Sequence, residues 1–166
     1  MYLTEDCQVV AGIIPVDLSA AANAGDWVSM KDYDELDIVV FKGAGVAGDD
    51  PVLTVQQATD VAGTGAKALN FTRVDSKVGV QTGIAQFTKN TQAATNTYTD
   101  AVSAEAQAIF VIHVEGHDLD RANGFDCVQL SIPDVGAGGA QLGCALYILS
   151  EGRYGGAQFP PSAIAD

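Results

Sequence analysis

Two histidines, His113 and His117, stand four residues apart with Asp118 and Asp120 directly behind them. That is the most metal-like grouping in the chain. On a helix both imidazoles would share a face and could grip zinc. The run before them, Ile109-Phe110-Val111-Ile112-His113-Val114, reads instead as a strand that ends at Glu115-Gly116. His113 then belongs to the strand and His117 to a loop, and no metal site is expected. The carboxylate groups Asp32-Asp34-Glu35-Asp37, Asp49-Asp50 and Asp118-Asp120 lack the spacing and closing Glu of a calcium loop, so they read as solvated loop acids. Ala62-Gly63-Thr64-Gly65-Ala66-Lys67 has the flavour of a phosphate loop. Ala66 stands where the P-loop needs Gly, and Ala68 where it needs Ser or Thr, so a hairpin or surface loop is expected.

Nucleophilic chemistry finds no better footing. No GxSxG elbow occurs. The three cysteines, Cys7, Cys127 and Cys144, form no CxxC pair and sit beside apolar runs, as small buried hydrophobes do. Neither Cys7 nor Cys127 has a cue for a lowered thiol pKa. The expectation is a protein that is not an enzyme, with no catalytic residue, no cofactor and no metal.

The elements that must position these residues are short and β-branched. Val9–Ile14, Ile38–Phe41, Ile109–Val114 and Leu142–Leu149 are strand-length and bounded by turn residues. Leu53–Gln57, Phe71–Val74, Ala85–Thr88 and Cys127–Ile132 are weaker, alternating segments that read as strands with one wet face. Turns fall at 48–51, 63–65, 123–124 and 136–139. This makes roughly eight to ten strands. Helix signals are confined to a single turn near Ser103–Ala108 and the end of Leu53–Asp60, and no apolar stripe runs for three helical turns. The expected fold is all-β: an antiparallel, jelly-roll-like β-sandwich with few or no helices. One sandwich domain is expected over residues 1–152, with an extended C-terminal arm over 153–166.

Several strands are apolar on consecutive residues, which places apolar side chains on an outer face as well as in the core. A neighbouring subunit is the economical cover, so a homo-oligomer is expected. Trp27 follows a turn and is read as a core anchor in preference to an interface anchor. In the arm, Tyr154 and Phe159 offer apolar rings and Pro160-Pro161 stiffens the backbone. Trp27, Tyr154, Phe159, Pro160 and Pro161 are therefore the candidate interface residues.

Charge narrows the partners. The chain has 166 residues, 8 Lys plus Arg and 21 Asp plus Glu, a formal net charge of -13. A polyanion is repelled by such a surface, so neither nucleic acid nor anionic membrane is expected to bind. Charged residues make up only 17% against 48% hydrophobic, which points to a large core or a surface partly hidden by neighbours. The N-terminus lacks a basic and apolar leader, and no apolar stretch reaches the length of a membrane helix, so a cytoplasmic site of assembly is expected.

Three segments carry a resemblance: Ile14–Tyr33, Gly45–Ala58 and Leu146–Tyr154. They resemble structural proteins of tailed bacteriophages. The resemblance implies a virion component, a capsid decoration (cement) protein on the capsid exterior, assembled in the host cytoplasm. It implies the major capsid protein and further copies of the chain, as a trimer, for partners, and it transfers no catalytic residue. Two alternatives remain open: a minor tail or head–tail adaptor protein, and a receptor- or carbohydrate-binding β-sandwich. At 7% aromatic residues the chain is poorly stocked for a sugar-binding platform.

Overall fold

A computed structural model describes residues 2–101, 106–153 and 160–161. One helical turn, Leu3–Asp6, precedes twelve strands: β1 (Gln8–Asp17), β2 (Asn23–Ala24), β3 (Val28–Ser29), β4 (Tyr33–Lys42), β5 (Val52–Ala58), β6 (Lys67–Ala68), β7 (Phe71–Val78), β8 (Thr88–Thr95), β9 (Thr97–Thr99), β10 (Ala108–Glu115), β11 (Cys127–Ile132) and β12 (Leu142–Gly152). A large sheet runs β1-β12-β4-β10-β7-β8, and a small one runs β2-β11-β5-β6, with β3 on β11 and β9 on β5. All recorded pairings are antiparallel. The chain passes back and forth between sheets, and its first and last long strands lie side by side. That is jelly-roll winding, extended by the β7–β8 hairpin.

Alternation supplies the core. Leu36, Ile38 and Val40 of β4 face inward with Phe110, Ile112 and Val114 of β10 and Ala145, Tyr147 and Leu149 of β12. The small sheet answers with Leu53, Val55, Val128, Leu130 and Ile132. Tyr147 ties the layers together: from β12 its hydroxyl oxygen accepts the Leu130 backbone N–H of β11 at 2.8 Å, fully buried. Gly12 of β1 makes room for that ring, since a Cβ there would come within 2.6 Å of it. No described helix is long and apolar enough to cross a membrane.

Several polar residues of the interior are bonded to loops. Buried Gln57 donates to the Ala68 carbonyl at 3.2 Å and accepts the Asp120 N–H at 2.9 Å. Arg121 donates to the carbonyls of Gly116, Met30 and Tyr33, knitting the turn after β10 to the start of β4. Lys42 is buried at the end of β4 and donates to the Ala106 carbonyl at 2.6 Å; burial holds its pKa below the ordinary lysine value.

Four expectations need correction. Residues 85–87 are not in a strand; the strand starts at Thr88 and runs through TKNTQAAT, whose polarity hid it. The end of Leu53–Asp60 is not helical, because β5 continues to Ala58 in register with Cys127. Trp27 is half-buried outside the core, lying against Gly63, where φ is +80° and a Cβ would come within 2.7 Å of its indole nitrogen. Cys144 is only half-buried, on the outer side of β12, whereas Cys7 and Cys127 are buried.

Candidate functional site

The expected outer apolar face exists, and it belongs to one sheet. Registration places Val9, Ala11, Leu146, Ile148, Val39, Phe41, Ile109 and Val111 on the outer side of the large sheet, across β1, β12, β4 and β10. Leu146 packs in line with Val39 and Val111, and Cys144 in line with Phe41 and Ile109. Phe41 is 50% exposed and Leu142, at the foot of the same face, 66%. The small sheet is more polar: its outer positions include Thr54, Gln56, Gln129 and Ser131, with Val52 at one end and the Ala58–Cys127 pair at the other. An antiparallel sandwich normally wets both outer faces. Here one is wet and the other is apolar across four strands.

The apolar face has an acidic border. Toward the far ends of β4 and β10 the outward positions become Glu35, Asp37, His113 and Glu115. His113 Nδ1 lies 2.7 Å from Asp37 Oδ1, a cross-strand pair, and its Nε2 3.9 Å from Glu115 Oε1. His117 Nδ1 is 3.1 Å from the other Glu115 oxygen, and Asp118 accepts the Glu115 N–H at 2.9 Å. Ser150 donates to Glu35 at 3.2 Å. A groove beside this border is also lined by Thr72, Arg73 and Asp75, where Arg73 makes a two-point contact with Asp75 at 2.9 and 2.6 Å.

His113 is thus a strand residue and His117 a turn residue, as the pattern before Glu115-Gly116 indicates. Among the described residues no group of three or more His, Cys, Asp and Glu side chains is arranged to hold a metal ion. The glycine-rich loop at 62–67 is a turn: the Asp60 carboxylate accepts the N–H groups of Ala62 and Thr64, each at 3.0 Å. Lys67 ion-pairs with Asp120 and lies 3.8 Å over the Phe125 ring. Asp49 accepts the Gly138 N–H, pinning the 136–139 turn. The Cys127 thiol, buried and donating to Asp126, is pushed up to about 12, an inert state.

A second exposed apolar feature went unread in the sequence. The connection between β7 and β8 carries Val80, 97% exposed, with Ile84 fully exposed and Phe87 half-exposed. Lys77 lies 4.7 Å over the Phe87 ring, and Lys89 follows on β8. Treating Ala85–Thr88 as a strand concealed this tip. Of the candidate interface residues, Trp27 packs on the 63–65 turn, Pro160 and Pro161 are half-buried, and Tyr154 and Phe159 lie outside the described residues. The buried Tyr33 hydroxyl donates to the Pro161 carbonyl, so the arm touches its own chain there.

No family model and no curated protein matches the chain. Among solved structures it is similar to the crystal structure of SPBc2 prophage-derived protein YomS, at a TM-score of 0.45 and 9% identity, covering 87% of this chain and 94% of that one. At that level the function has to be read from this chain's own residues.

Proposed function

We propose that the chain is a non-enzymatic structural protein of a tailed-bacteriophage virion, an oligomeric decoration protein that binds and stabilises the capsid lattice from outside. The observation that carries the reading is the contrast between the two sheets. A surface that wets one outer face with Thr, Gln and Ser while lining the other with Val, Ile, Leu and Phe is built to be covered by protein. The sequence resemblance to phage structural proteins supplies the setting. The acidic charge favours keeping the protein off packaged nucleic acid and leaves it soluble until it meets its partner. In this reading the partners are the major capsid protein and further copies of the chain as a homotrimer, with no cofactor.

The test is the stoichiometry of the chain against the major capsid protein in purified particles, by quantitative mass spectrometry. A ratio near unity is expected. A handful of copies per particle would instead assign it to the tail or head–tail region, and absence from the particle would overturn the virion reading.

A further inference from the structure

We propose that copies of the chain associate head to tail, with the β7–β8 tip of one copy seated on the outer face of the large sheet of the next. The two surfaces match in both chemistries. The tip offers Val80, Ile84 and Phe87, with Lys77 lying over the Phe87 ring; Lys77 and Lys89 stand on the outward side of β7 and β8, at the register of Ile109 and Asp75. The face offers Phe41, Val39 and Leu146 with Asp37, Glu35 and Glu115 along its border. Apolar side chains meet apolar side chains while lysines meet carboxylates, the arrangement that sets orientation as well as contact.

The remaining cations argue for this occupant. Lys67, Arg73 and Arg153 are paired with Asp120, Asp75 and Asp34 of their own chain. Arg121 is spent on backbone carbonyls and Lys42 is buried. Lys31 is exposed just before β4, and Lys77 is the cation that lies over the exposed Phe87 ring of the tip. Stacking two large-sheet faces about a two-fold would leave the exposed β7–β8 tip of each copy uncovered. A tip-on-face contact uses different surfaces on the two partners, so it is heterologous and closes into a ring when the rotation allows. The proposal rests on the oligomer in the preceding reading and is independent of where in the virion it sits.

Two variants and their mixture test it. A tip variant carries Val80→Ser and Ile84→Ser, and a face variant Phe41→Ser and Leu146→Ser; circular dichroism checks that each is folded. By light scattering at micromolar concentration the unaltered chain is expected to be oligomeric and each variant alone monomeric, with self-association weakened at least tenfold. An equimolar mixture is expected to regain a species of twice the chain mass, because the intact tip of the face variant still fits the intact face of the tip variant. Two face-to-face copies cannot give that rescue. Should the mixture stay monomeric, or either variant keep the oligomer, this contact is wrong while the oligomer stands. A monomeric unaltered chain overturns both, and leaves the virion role to the particle stoichiometry. Lys77→Glu and Glu115→Lys offer the same comparison without removing apolar groups: each weakens association alone, and mixing the two restores it in part.

Discussion

Tyr147 shows how much one side chain can decide in a sandwich. Its ring fills the space above Gly12 and its hydroxyl oxygen receives the Leu130 N–H from the opposite sheet. Removing the oxygen leaves a buried backbone donor without a partner, and such a group costs about 1–3 kcal/mol. Tyr147→Phe is expected to lower stability by that amount in urea unfolding with little change in m-value. Gly12→Ala attacks the same contact from the other side, since the ring can retreat only by giving up Leu130. It is expected to cost about 1–3 kcal/mol as overpacking. The sequence marks Leu142–Leu149 as a strand, yet nothing in it distinguishes Tyr147 as a link between layers, because Leu130 is distant along the chain. His113 is a similar case. Its strand was legible, but Asp37 becomes its partner only through the register of β10 on β4.

At the scale of elements, hydrophobic alternation made the long strands readable and polar composition hid the others. β4, β10, β11 and β12 announce themselves through Val, Ile, Leu and Phe. β8, with its Thr, Lys, Asn and Gln, pairs with β7 at the sheet's edge and packs little into the core, so its residues face no demand to be apolar. The same logic accounts for the outer face: consecutive apolar residues in β10 and β12 indicated a second covered side, while which sheet carries it depends on strand order. Turns between elements are held by carboxylates. Asp17 accepts the Gln141 and Ser19 N–H groups and the Ser19 hydroxyl, Asp60 accepts from Thr64 and Ala62, and Asp120 takes Lys67 and Asn123. These bonds favour the charged forms and hold all three pKa values below the ordinary Asp value. A carboxylate with a lowered folded pKa stabilises fully above its unfolded value, about 3.9, and loses that stabilisation as pH falls through the folded value. The melting temperature is expected to drop as pH goes below about 4. Asp17→Asn should fall less over that range than the unaltered chain, and an equal fall would mean that Asp17 takes no part in the acid response.

Across the whole molecule, the arm and the sandwich are expected to have separable duties. Among the described residues every long strand ends by Gly152. The described contact of the arm is with its own chain, where the Tyr33 hydroxyl donates to the Pro161 carbonyl. Deleting residues 155–166 removes that acceptor and opens Tyr33 toward water, which then replaces the lost bond. The net effect of exchanging a protein partner for water is small, about 0.5–1.5 kcal/mol. The truncated chain is therefore expected to keep its far-ultraviolet circular dichroism spectrum and to melt only a few degrees lower. Under the proposed virion role, retention on purified particles is expected to weaken more than stability does, because the deleted segment carries the apolar residues Phe159 and Ile164. A truncation that unfolds would show the arm to be part of the core. One that folds and is retained on particles undiminished would confine the lattice contacts to the sandwich, with the large sheet's outer face and the β7–β8 tip as the surfaces to alter next.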